Sequence, residues 1–143
     1  METGSYTILL ELDQPSQISF GAAGQRCLDE GWYAYTGSAF GPGGLSRVER
    51  HRRVYEGENS TRHWHIDYLL GDSTSSWDDV WMTTADVECQ VVSRLPGDLI
   101  TGIGATDCEC ASHLNYHSDR SPLVTALAEF YGRHSKVTHS EGD

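Results

Sequence analysis

Ser5-Tyr6-Thr7-Ile8-Leu9-Leu10-Glu11-Leu12 is apolar at Tyr6, Ile8, Leu9, Leu10 and Leu12. A run this continuous predicts a strand inside a sheet rather than a solvated edge. Asp13, Gln14 and Pro15 supply a turn, Gln17 to Phe20 a short second strand closed by Gly21 to Gly24, and Asp29-Glu30-Gly31 a further turn. Trp32 to Gly37 then alternates aromatics, placing Tyr33 and Tyr35 on one face of a third strand and Trp32 and Ala34 on the other. Two strands thus bracket a hairpin-like excursion.

Past Gly41-Pro42-Gly43-Gly44 the period changes. From Leu45 to Tyr55, Leu45, Val48, Tyr55 and the aliphatic stem of Arg52 form a helical stripe, with Arg47 and His51 together on its flank. Glu56 to Arg62 reads as a loop, His63 to Leu70 fits either a helix or a strand, and Gly71 to Asp79 reads as a second loop. Val80 to Thr84 predicts a strand. Ala85 to Leu95 has helical spacing at Val87, Val91 and Leu95 and stops at Pro96-Gly97. A glycine-spaced loop leads into Asp107-Cys108-Glu109-Cys110-Ala111-Ser112-His113, and a last helix runs from Pro122 to Tyr131. With no repeat or linker, the expectation is one α/β domain over residues 1–131, a small mixed or antiparallel sheet flanked by helices. Residues 132–143 are expected to form a polar, fraying tail.

The charge is lopsided. Among 143 residues, 21 are acidic and 10 basic, a net of −11, and Lys136 is the sole lysine. Such a surface is expected where cytosolic salt is very high, because salt screens its self-repulsion. No stretch is apolar enough to span a bilayer and no leader-like segment opens the chain, so a cytoplasmic location without membrane contact is expected. Cys27, Cys89, Cys108 and Cys110 are then expected to be reduced thiols. Against the global trend, Gly43 to Tyr55 holds Arg47, Arg50, Arg52 and Arg53 with Glu49 alone opposing them, a local net of +3. That points to a nucleic-acid partner, although a solvated basic helix face has the same composition.

Several side chains invite chemistry. Arg47 can fork onto phosphate oxygens, with His51 one helical turn away to move a proton near neutral pH. His63, His65 and Asp67 share a face if their segment is extended; if it is helical, only His63 and Asp67 meet. Equally, a carboxylate there can simply fix a partly buried imidazole. Glu88, at a helix start, can hold a magnesium ion through one oxygen or be an ordinary helix-start charge. Cys89, Cys108, Cys110 and His113 are four zinc-compatible side chains, though small buried thiols give the same pattern.

Taken in order, several strings resemble one family: Gly4-Ser5-Tyr6, Tyr35-Thr36-Gly37-Ser38-Ala39, Gly43-Gly44-Leu45 with Val48, Arg50 and His51, His63-Trp64-His65-Ile66-Asp67-Tyr68-Leu69, Glu88-Cys89, and Asp107-Cys108 with Cys110, Ser112, His113 and Leu114. They are similar to a GIY-YIG-related nuclease domain found alone in archaea and bacteria or fused to base-excision endonucleases. The resemblance implies a GIY-YIG-like fold and metal-dependent hydrolysis of DNA phosphodiesters, with a role in repair. It assigns catalysis to Tyr6, Tyr35, Arg47, His51 and Glu88, the metal (Mg2+ or Mn2+) to Glu88, nucleic-acid contacts to Arg47, Arg50, Arg52 and Arg53, and supporting places to His63, His65, Asp67, Asp107 and His113. The competing expectations are a nucleic-acid-binding module without turnover and a zinc-stabilised interaction domain.

Overall fold

The structure, a computed structural model, describes residues 2–21, 24–41, 43–58, 65–100, 113–132 and 138–141. Its centre is β1 (Gly4–Leu12), flanked in antiparallel register by β4 (Gly31–Ala39) and β5 (Ser75–Thr83). β7 (Leu114–His117) pairs with β4, β6 (Asp98–Ile100) with β7, and β8 (Thr138–Glu141) with β5. The result is a six-stranded sheet of order β6-β7-β4-β1-β5-β8, with every pairing antiparallel. A separate two-stranded ribbon pairs β2 (Ser16–Ser19) with β3 (Gln25–Leu28). The expected antiparallel sheet flanked by helices is therefore present.

The apolar run in β1 has a direct cause: it is buried on both faces. Tyr6, Ile8, Leu10 and Leu12 join Tyr33, Tyr35, Trp77 and Val80 in one core cluster, closed by Leu45, Val48 and Val54 of α1 (Ser46–Tyr55) and its approach, and by Ile66, Leu69 and Leu70 of α2 (His65–Leu70). Ile18, Phe20 and Leu28 of the ribbon seal the same side. Leu9 faces the other way, with Ala34 and Trp81, against Val87 and Val91 around α3 (Glu88–Arg94) and Leu123, Leu127, Phe130 and Tyr131 of α4 (Arg120–Tyr131). There Thr7 bonds both Thr36 and the Tyr131 hydroxyl, so these three buried hydroxyls partner one another.

Several expectations need correction. Gly71 to Asp79 is not all loop, because β5 begins at Ser75. Its polar letters mask it: the register slips between Leu9 and Leu10, and the buried Asp79 carboxylate accepts its neighbour Val80's amide at the irregularity. α3 starts at Glu88 rather than Ala85, since the Ser5 hydroxyl accepts the Val87 amide and donates to the Ala85 carbonyl, holding the approach out of the helix. Residues 65–70 are helical, so the extended alternative for that segment fails over them. Residues 138–141 form β8 against β5 instead of fraying. The α1 stripe is also rotated from its expected position: Val48, His51 and Val54 are the buried residues, so His51 points into the core and not along the flank. The helix ends where Gly57, at φ +82°, reverses the chain and returns its amide to the Val54 carbonyl. Among the described residues no helix is long and apolar enough to cross a membrane.

Candidate functional site, an arginine beside a buried tyrosine and histidine pair

The sheet and α1 bring Tyr6 and His51 together. Their hydroxyl and Nε2 lie 2.8 Å apart, and both residues are almost wholly buried. Tyr6 pairs across the sheet with Gly37, where a side-chain methyl group would sit 2.6 Å from the Tyr6 hydroxyl. The phenol therefore passes directly over β4, and only a glycine leaves it room. Tyr35 stands two residues before Gly37, opposite Ile8, with its ring 6.4 Å from Tyr6 and 6.3 Å edge-on from His51.

The far side of His51 is built from two other segments. Nδ1 lies 3.5 Å from the Asp67 carboxylate, and Asp67 also receives a two-pronged bond from Arg50 at 3.1 and 3.2 Å. Asp67 is completely buried and Arg50 largely so. With a carboxylate facing Nδ1, the proton of a neutral imidazole belongs there, and Nε2 accepts from the Tyr6 hydroxyl. Burial lowers the His51 pKa; Asp67 opposes this, while Arg50 and Arg47 add to it. Burial likewise raises the Tyr6 pKa well above the ordinary phenol range, with Tyr35 adding to the rise and Arg47 opposing it. The resting pair is thus neutral on both sides at neutral pH.

Arg47 lies at the rim. Its Nη1 donates to the Ser38 carbonyl at 2.7 Å, and its guanidinium also donates to the Tyr6 hydroxyl. Half-buried on the first turn of α1, the fork is held in one place rather than searching solvent. The helix end beside it is not an open anion cradle, because the amides of Ser46, Arg47 and Val48 already bond the carbonyls of Gly43, Gly44 and Leu45.

Glu88 opens α3 and meets His113, Oε2 to Nε2 at 3.6 Å, while His113 packs edge-on to Tyr35 at 6.1 Å. The Glu88 charge also raises the Tyr6 pKa, as the smallest of the contributions. Tyr6, Tyr35, Arg47, His51 and Glu88 therefore share one neighbourhood, with His113 and Asp67 around them. The other arginines diverge. Arg50 is spent on Asp67, Arg52 bonds Glu56 and stacks over Tyr55 and Trp77, and only Arg53 of the three is exposed. The expected four-arginine contact stripe resolves into two internal ties, one surface charge and Arg47. Letter counts cannot reveal this, because the partners lie a helix or a strand away.

His63, Asp107, Cys108 and Cys110 lie outside the described residues, as does the side chain of His65. Cys89 is disulfide-bonded, correcting the expectation of a reduced thiol there, whereas Cys27 is free and exposed. Among the described residues no three His, Cys, Asp or Glu side chains converge as a metal-holding group. Phe40 and the Ser38 carbonyl were not among the expected site residues. The only available signal was an aromatic side chain set immediately before the glycine-rich turn.

An antiparallel sheet with helices on both faces and an arginine-rimmed, buried tyrosine and histidine pair defines an α/β domain with a polar site at the junction of β1, β4 and α1. The chain belongs to the family described as Domain of unknown function DUF123, whose model matches residues 5–136. This family is distinct from the GIY-YIG nucleases, so the resemblance to those nucleases and the endonuclease assignment that rested on it are corrected. The nuclease and metal-binding terms fall with it. No curated protein and no solved structure matches the chain.

Proposed function

We propose that the chain is a nucleic-acid-binding module that recognises backbone phosphate through Arg47. The supporting observation is the position of that guanidinium: half-buried, tied to the Ser38 carbonyl and the Tyr6 hydroxyl, at the margin of a polar cluster in a chain of net charge −11. Ordering a free arginine costs side-chain entropy on binding; this one is already ordered, so a phosphate oxygen meets a fork in place. The Tyr6, His51 and Asp67 chain behind it serves to fix the fork from below.

Arg47 and the exposed Arg53 leave room for few phosphate contacts. Counterion release therefore contributes little, and short-range geometry dominates. Fluorescence anisotropy of labelled single-stranded and duplex DNA, titrated from low to molar potassium chloride, tests this directly. Saturable binding with a shallow salt slope, a magnitude of roughly 1 to 2, is expected for one or two contacts. Failure to bind either strand form at any salt concentration would overturn the proposal.

A further inference from the structure

Phe40 is 46% exposed, the one large hydrophobic side chain left exposed among the described residues. A single exposed apolar residue is ordinary on a protein surface; its neighbours give this one meaning. Two residues before it, the Ser38 carbonyl holds Arg47 Nη1 at 2.7 Å. One residue after it, a methyl group added at Gly41 would lie 3.7 Å from Arg47 Nη2. The backbone on both sides of Phe40 thus borders the same guanidinium. Ser38 to Gly41 spans at most about 10 Å even when extended. A ring and a fixed cation set this close match the two faces of one nucleotide, an apolar base and an anionic phosphate.

We infer that Phe40 is a stacking platform for an unpaired base whose phosphate engages Arg47, so that the partner is single-stranded rather than duplex nucleic acid. The inference rests on the nucleic-acid reading above and deepens it. In a duplex both faces of each base are already covered by neighbours, and an exposed phenyl ring gains little. In a single strand the face is open, and stacking tolerates any sequence because every base has one. Stacking also relies little on long-range charge, which suits a strongly acidic chain that a polyanion otherwise avoids.

The test compares a short labelled oligo-deoxythymidine with an abasic sugar-phosphate strand of equal length. Wild type, Phe40→Ala and Phe40→Tyr would each be measured by anisotropy at one fixed salt concentration. Wild type is expected to prefer the thymidine strand, Phe40→Ala to lose about tenfold or more on that strand while keeping its abasic affinity, and Phe40→Tyr to restore the preference. Equal thymidine binding by wild type and Phe40→Ala overturns the stacking role and leaves the phosphate reading standing. No binding of wild type to either strand overturns the phosphate reading and the stacking role together. Wild-type self-association that Phe40→Ala abolishes, seen by sedimentation, makes the ring a contact between copies and overturns the inference as well. The melting temperatures of the variants, expected to match wild type because the ring is exposed, separate these outcomes from misfolding.

Discussion

The Tyr6 hydroxyl and His51 Nε2 meet at 2.8 Å inside the core, although one belongs to the central strand and the other to the first helix. Neither has solvent as an alternative partner; besides each other, Tyr6 meets Arg47 and His51 meets Asp67. Tyr6→Phe and His51→Phe are each expected to destabilise the fold by about 1–3 kcal/mol, because the buried atom left behind loses this bond and has no water to replace it. A double-mutant cycle by urea denaturation should show a coupling of about 0.5–3 kcal/mol. Additive effects would mean that the two groups do not act as a unit.

Arg50 and Arg53 lie three positions apart on α1 and should behave as opposites. Arg50→Met strands the fully buried Asp67 carboxylate and is expected to cost about 3–5 kcal/mol. Arg53→Gln changes an exposed side chain and should stay within about 0.5 kcal/mol. Similar losses for the two, measured by urea denaturation, would contradict the division of the arginines into internal ties and surface charge.

His51 also predicts a pH dependence. Its folded pKa is lowered from 6.5 by burial, so below about pH 6.5 the unfolded chain takes up a proton that the folded chain refuses. Stability contributed by neutral His51 is complete above that pH and is lost as pH falls toward the lowered folded value. The groups facing the imidazole are Tyr6 and Tyr35 from the sheet, Asp67 from α2, and Arg47 and Arg50 from its own helix. Wild type should therefore lose stability faster than His51→Phe between about pH 7 and pH 5 in urea titrations. Parallel curves would place the imidazole in contact with water.

Gly37→Ala tests the close approach of Tyr6 to β4. The added methyl would stand 2.6 Å from the phenol oxygen and 2.7 Å from its ring carbon, so the ring must move. A loss of about 1–3 kcal/mol is expected, with the Tyr6 to His51 contact weakened. An unchanged melting temperature would show slack in the cluster that the geometry does not contain.

Legibility in the sequence followed burial. β1 and β4 declare themselves, because strands covered on both faces carry long apolar or aromatic runs. β5 hides behind Ser75, Asp78 and Asp79, where the buried Asp79 serves the backbone at an irregular register and so breaks the apolar pattern. Four residues of β7 and three of β6 are too few to show a period. In the site, residue types single out Arg47, His51 and Glu88, whereas Tyr6 and Tyr35 entered as site residues through the ordered motifs, and the fold brings all five into one neighbourhood. What each one touches depends on long-range pairing. Arg50 looked like a nucleic-acid contact because Asp67, seventeen residues away, is invisible to local spacing. His51 looked like a flank residue because an imidazole does not announce itself as core.

The most direct test of the phosphate-binding account is the affinity of folded Arg47→Gln for labelled single-stranded DNA, measured across a salt series beside wild type and Arg53→Gln. The account predicts a loss of about 10- to 100-fold for Arg47→Gln, the size of a hydrogen bond to a charged group, and a salt slope shallower by about 0.7. Arg53→Gln should lose much less. Wild-type affinity and slope in an Arg47→Gln protein that melts cooperatively would contradict the account.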